Sequence, residues 1–310
     1  MSNVSRSLEK SAPLVSVVVP AYHSDATIET FLEGLRHQTF ADFETIIVNS
    51  SPEARTAKLV GECFPAARFE QSAHRLLPHA ARNRGVDLAR GRLIVFTDPD
   101  CVSAPGWLGA LVEASRHGHG VVVGAMDLVG RSAFERAVHL CKFASWLPGG
   151  RAGPRAIAPT ANALYTREVW EAVGPFRGDS FSSDTLHSWH AAARGFPPWF
   201  EPTAVVAHRH GGDMRSFLRE RQARGEDFAR LRMAEERRSR AWAALHLLAL
   251  PAIPFIELAR VGRRAISSGW TLAFARTAPL QLAANAAWAF GEARTHARIV
   301  LAGKSQLGFS

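Results

Sequence analysis

From Leu14 to Thr97 the chain alternates apolar, β-branched runs with stretches whose apolar residues recur at helical spacing. "LVSVVVPAY" and "FETIIVNSSP" are the first two runs, and "DATIETFLEGLRHQ" between them puts Ile28, Phe31, Leu32 and Leu35 on one helix face, with Asp25 as the expected N-cap. The unit repeats through a helix expected over Arg55–Cys63, a short strand near Ala67–Glu70, a helix within "LPHAARNRGVDLARG" and the strand "RLIVFT". Such alternation predicts an α/β fold whose mostly parallel sheet is covered by helices on both faces. In sheets of this kind ligands sit beyond the carboxyl ends of the strands.

The fourth run drives directly into "TDPDC", so that rim carries Asp98 and Asp100, one proline apart. Two carboxylates on a turn concentrate negative charge that a divalent cation satisfies, and Mg²⁺ or Mn²⁺ keeps positions for substrate phosphates. A solvated turn in which Asp100 caps the next helix fits the same letters.

Further along, a helix is expected in "APGWLGALVEASR", a strand in "GVVVGAMDLV", a helix in "SSDTLHSWHAAARG" and a strand in "WFEPTAVVAHRH". The stretch 147–159, "LPGGRAGPRAIAP", reads as a mobile loop because Gly and Pro punctuate it. Beyond Gly212 the composition turns to an arginine-rich helical run and then to apolar stretches interrupted by Pro251 and Pro254. The expected organisation is a polar leader over 1–13, a main domain over 14–212 with halves about 14–128 and 129–212, and a basic and apolar helical region over 213–310.

With 310 residues, 47% of them hydrophobic, the chain can bury a large core, and its formal charge of +9 calls for an anionic partner. Cys63, Cys101 and Cys141 are odd in number and far apart, which argues against a disulfide framework and fits a reducing cytoplasm. The opening residues lack the apolar core of a secretory signal, so the catalytic part is expected inside the cell.

The ordered series "VSVVVPAYHSDATIETFLEGLRHQTFADFETIIV", "HAARNRGVDLARGRLIVFTDPDCVSAPGWL", "ANALYTREVWEAVGPFRG", "SSDTLHSWHAAARG" and "EPTAVVAHRHGG" resembles the family-2 inverting nucleotide-sugar glycosyltransferases of the GT-A fold, over residues 14 to 212. The resemblance implies transfer of a sugar to an acceptor hydroxyl with inversion, a nucleotide-sugar donor and a divalent cation, Mg or Mn. It implies that Pro20, Ala21 and Tyr22 lie against the nucleobase, that Arg82 and Asn83 flank the diphosphate, and that Asp98 joins both donor and metal. Asp100 and one histidine, His208 ahead of His210, complete the implied metal set. The family's acidic residue against a uracil base is replaced by Asn49, so the donor need not be a uridine nucleotide. On the acceptor side Asp184 is the implied general base, with Asp179 as competitor, Asn162 and Trp189 as implied acceptor-site residues, and Ser183 where the family places a second acid.

Two other classes fit parts of the chain. The altered "VNSS" and Ser183 also suit a catalytically altered sugar-nucleotide or glycan-binding relative. A nucleotidyltransferase could use paired aspartates, but no Gly-rich basic loop follows the first strand. Nucleic acid is not an expected partner, since no helix-turn-helix, zinc finger or aromatic RNA-binding signature occurs. The arginines near apolar stretches instead fit an anionic membrane surface on the cytoplasmic side, and with it a lipid-linked or envelope glycan acceptor. The stretch 241–261 is expected to be too broken to span a bilayer securely; packing on the main domain, a homodimer interface or a span made of a kinked 241–259 segment fits the same residues.

Overall fold

A computed structural model describes residues 12–177 and 180–301. Most of the leader expected over 1–13, and Asp179, lie outside the described residues.

The first half follows the alternation: β1 (Val15–Ala21), α1 (Ile28–Arg36), β2 (Phe43–Asn49), α2 (Arg55–Cys63), β3 (Arg68–Gln71), α3 (Pro78–Leu88) and β4 (Leu93–Thr97). Then come β5 (Cys101–Ser103), α4 (Trp107–Arg116), β6 (Val121–Leu128) and α5 (Ala133–Phe143). The remainder contains β7 (Gly153–Pro154), β8 (Asn162–Thr166), α6 (Arg167–Val173), α7 (Ser183–Ala193) and β9 (Trp199–His208). Four helices close the described chain: α8 (Met214–Glu235), α9 (Arg240–Ala249), α10 (Ile253–Ser267) and α11 (Thr271–Leu301).

One sheet runs β3-β2-β1-β4-β8-β6-β9-β5, with β7 also paired to β9. The block β3-β2-β1-β4 is parallel, and β6 runs parallel to β9. Strand β8 enters antiparallel between β4 and β6, and β5 and β7 lie antiparallel on β9. Alternate residues of β1 feed opposite cores: Val17 and Val19 pack with Leu32 and Trp107, whereas Val18 packs with Ile46, Ile94 and Phe96. Each such side chain, fully buried, stabilises by about 1.5–3 kcal/mol. With both faces committed to cores, only the strand ends remain for a ligand.

Three local expectations are corrected. Asp25 does not cap α1, whose N-cap is Thr27; the Asp25 carboxylate instead accepts a hydrogen bond from the Thr56 hydroxyl of α2. The segment 147–159 is anchored, because the Arg155 guanidinium donates to the carbonyls of Ser145, Gly153, Pro154 and Arg151 and lies 4.4 Å from the Phe200 ring centroid. The stretch 241–261 is not broken: a 3₁₀ turn, Leu250–Ala252, links α9 to α10. Pro251 and Pro254 each fall at the first or second position of a helical segment, where a missing N–H costs little. Arg240–Ser267 is therefore one helical stretch long and apolar enough to cross a membrane by length and composition, and only 17% of its most apolar window is buried.

The terminal helices are built onto the main domain. Val261 and Ala265 of α10 pack with Leu140 and Ala144, and Ala284 of α11 packs with Val138 and Phe217. Helices α8 and α11 cross closely because each offers a glycine. A Cβ on Gly225 would lie 2.3 Å from the Trp288 carbonyl oxygen, and one on Gly291 would lie 2.1 Å from that of Gln222. This contact brings one face of α8 over the strand ends.

Candidate active site

The exit of β4 turns sharply: the Cys101 amide donates to the Asp98 carbonyl, and the Arg209 amide donates to the carbonyl of Asp100. The β5–β9 register then sets Cys101 opposite His208. His208 Nε2 consequently lies 3.6 Å from Asp100 Oδ1, and one ligating atom each from Asp100, Cys101 and His208 falls within 4.8 Å of the others. Burial pushes the Asp100 carboxyl up, and the charge of Asp98 adds to the rise while His208 opposes it. A cation would reverse that balance. The Cys101 thiol is driven well up by burial and by Asp100 and Asp98, which keeps it protonated and leaves oxygen and imidazole donors. Asp100 and His208 thus fit a hard divalent ion, with the imidazole favouring Mn²⁺ over Mg²⁺, and Asp98 lines the same cavity beside them. Asp98 is also held by the buried Arg82 guanidinium, which donates to its Oδ1.

The two histidines that the sequence left open have different surroundings. His210 turns away, with Nε2 3.1 Å from His139 Nδ1, while the other nitrogen of His139 lies 3.0 Å from the Met126 carbonyl oxygen. Burial brings His210 down to about 2 and His139 to about 3, so both rings are neutral at pH 7.

Opposite this rim, Asp184 sits in the first turn of α7. It is not the helix cap, a position taken by Ser182; its Oδ1 accepts from the Thr185 amide at 2.8 Å. Burial raises its pKa, against the pull of Arg224 and then Arg82. Asp227 of α8, which sequence reasoning missed, fixes this turn: its Oδ2 accepts from the Ser182 amide at 3.0 Å and the Ser180 hydroxyl at 2.9 Å.

Pro20, Ala21, Tyr22, Arg82, Asp98, Asp100, Asp184 and His208 all line one cavity of about 1280 Å³. Arg75 covers the Tyr22 ring at 4.6 Å from its centroid and lines the same space.

Four expected residues stand outside that wall. Asn49 is fully buried, donating to Gln71 Oε1 at 2.8 Å and accepting from the Ser51 hydroxyl at 2.7 Å, so its amide is spent within the protein; Ser50 reaches the cavity instead. Asn83 exchanges hydrogen bonds with the Phe176 backbone at 2.8 and 3.0 Å. Asn162, expected at the acceptor, is a core tie: it accepts from Trp107 Nε1 at 2.8 Å and donates to the carbonyls of Ala125 and Ala204 at 2.9 Å. Trp189 packs edge-on to Phe228, 6.1 Å between centroids. These positions brace the site from behind.

The wall also includes Arg221, Arg224, Phe228 and Arg232 of α8, and Asn285 and Trp288 of α11. Sequence reasoning missed them, although the α8 set repeats at helical spacing on one face.

The family model described as Glycosyl transferase family 2 matches residues 16–174, just over half of the chain. The glycosyltransferase AglE of Haloferax volcanii is 25% identical over 213 residues, covering 65% of this chain and 68% of the relative. The GalNAc(5)-diNAcBac-PP-undecaprenol beta-1,3-glucosyltransferase of Campylobacter jejuni is 27% identical over 116 residues, 36% of this chain and 38% of its own length. The solved mannosyltransferase PcManGT of Pyrobaculum calidifontis, in complex with GDP-Man and Mn²⁺, superposes with a TM-score of 0.58 at 20% identity, covering 89% of this chain and 86% of that one. That likeness establishes a shared fold.

Proposed function

The chain belongs to glycosyl transferase family 2 and is a glycosyltransferase, and from that premise we propose that it moves a sugar from a nucleotide-sugar donor to an acceptor hydroxyl with inversion at the anomeric carbon. The observation that carries this reading is the meeting of Asp98, Asp100, His208, Arg82 and Asp184 in one cavity. Asp98, Asp100 and His208 would hold a divalent cation, which when bound offsets charge on a departing nucleoside diphosphate. Arg82 keeps Asp98 oriented toward that pole. Pro20, Ala21 and Tyr22 form the wall for the base and ribose. Asp184 takes the proton from the acceptor hydroxyl as that oxygen attacks from the face opposite the nucleotide. PcManGT, solved with GDP-Man and Mn²⁺, and the Campylobacter enzyme, named for a PP-undecaprenol acceptor, support the donor class, the ion and a lipid-linked acceptor. Release of nucleoside diphosphate from a sugar nucleotide by the purified full-length chain tests the donor half of the proposal.

The acceptor half implies contact with a membrane. Leu245, Leu248, Phe255, Ile256, Ile266 and Leu272 are exposed along the terminal helices, and Arg237, Arg238, Arg240, Arg260, Arg263 and Arg264 flank or interrupt the same stretch. That pairing suits helices lying in the interface of an anionic leaflet. Membrane fractions from expressing cells are expected to release the untagged chain in high salt or carbonate. A strict detergent requirement would indicate a span instead, and a wholly soluble chain without affinity for anionic liposomes would contradict membrane attachment.

A further inference from the structure

The helical half of the cavity holds more positive charge than its carboxylates balance. Lys142 Nζ and Arg224 Nε both reach Glu220 Oε1, at 2.9 and 2.8 Å. Arg221, one turn before Arg224, has no ion pair among the described residues. Its guanidinium lies 4.4 Å from the Trp288 ring centroid, its Nη2 reaches Asn285 Oδ1 only at 3.5 Å, and its Nε is buried without a partner. Lys142, Arg221 and Arg224 against Glu220 and Asp184 leave three positive charges and two negative, a surplus of one centred on Arg221. Nearby acids are engaged elsewhere: Glu257 by Arg260, Asp227 by Arg230 and the Ser180–Ser182 turn, and Glu292 faces His246. Burying such a surplus is costly unless an anion completes it. Arginine forks match phosphate oxygens, and a diphosphate diester carries about two negative charges.

This pole adjoins the donor pole, since Lys142 also acts on Asp100 and both Arg224 and Arg82 act on Asp184. The neighbours that act on Arg221 are Cys141 first, then Arg224, Glu220 and Glu257, none of them from the aspartate rim. Arg224 is the strongest charged neighbour of Asp184. Beyond the arginines the cavity wall continues through Ile253 and Ile256 of α10, in the helical stretch that exposes Leu245, Leu248 and Phe255.

We infer that Arg221 and Arg224, with Lys142, form a headgroup subsite for the diphosphate that joins an acceptor sugar to its lipid, with the lipid leaving along Ile253 and Ile256. The inference rests on the glycosyl-transfer reading with a lipid-linked acceptor and names where that acceptor is held. The Asp184 base lies between this subsite and the donor pole, as transfer to a sugar hydroxyl near the diphosphate requires.

The test is equilibrium binding to the full-length chain in detergent, with EDTA present so that the aspartate rim repels anions. Three probes are titrated: geranylgeranyl diphosphate, geranylgeraniol and inorganic pyrophosphate. The wild type is expected to bind the diphosphate lipid about 10–100-fold more tightly than the alcohol, the range for charge-assisted hydrogen bonds to partly buried arginines. Arg221→Gln should lose most of that preference and Arg221→Lys should retain it, while binding of GDP or UDP with Mn²⁺ stays at the wild-type level in both. An Arg221→Gln variant with the full wild-type preference overturns the inference, as does parallel loss of nucleotide binding. Pyrophosphate binding as tight as the diphosphate lipid overturns the lipid assignment. Sugar-nucleotide turnover on the same preparation separates the two proposals: turnover without any diphosphate preference sinks the subsite alone, and a preference without turnover sinks the transfer reading alone.

Discussion

Asp184→Asn is expected to slow sugar transfer by about 10²–10⁴-fold, the usual contribution of a general base. The substitution keeps the shape of the side chain, and its Oδ1 can still accept from the Thr185 amide, so α7 should stay intact. Donor binding should change little, because Asp184 is neither among the residues that would hold the cation nor in the wall formed by Pro20, Ala21 and Tyr22. The pH profile provides a second readout. Burial holds the Asp184 pKa above the ordinary carboxylate value, and the ionised form is the active one. Activity therefore rises with pH through that raised pKa, and the acid limb of kcat/KM should lie above the range of an exposed aspartate. In Asp184→Asn that limb should vanish along with the rate. Transfer at the wild-type rate would assign the base elsewhere, with Asp179 the next residue to test.

Asp98→Ala and Asp100→Ala are each expected to abolish metal-supported turnover, yet their effects on stability should differ. Asp100 is already pushed up by burial and by Asp98, so its removal relieves repulsion and should leave Tm near the wild-type value. Asp98 is the carboxylate held by Arg82, whose side chain is only 4% exposed. Removing it strands a buried guanidinium, a loss of about 3–5 kcal/mol by analogy with broken buried pairs. Thermal unfolding should thus show a large drop for Asp98→Ala and little for Asp100→Ala. Undiminished turnover of both variants in chelator would remove the metal from the account.

Local pattern carried much of this arrangement. Helix α2 spans Arg55–Cys63 as its spacing predicts, and the apolar run ending at Thr97 delivers Asp98 to the ligand rim. Legibility ended where distant segments decide. His208 and His210 stand two residues apart at the end of one apolar run and look alike in sequence; the β5–β9 register turns the first to Asp100, and α5 supplies His139 to hold the second. Asn162 is a polar residue at the start of an apolar strand, which reads as a ligand contact, but Trp107 and two carbonyls from neighbouring strands consume its amide. Asn49 is absorbed by Gln71 and Ser51 in the same way. Which face of α8 meets the cavity depends on the crossing at Gly225 and Gly291, so in sequence Arg221 and Arg224 are only members of an arginine-rich helical run.

The anomeric configuration of the product, followed by proton NMR from the first turnover with Mn²⁺ present, tests most directly whether this cavity performs a single displacement with Asp184 as base. The geometry predicts a product of configuration opposite to that of the donor sugar, formed by the wild type, lost in chelator and suppressed in Asp184→Asn. A product that keeps the donor configuration, or transfer unaffected by chelator, would contradict it.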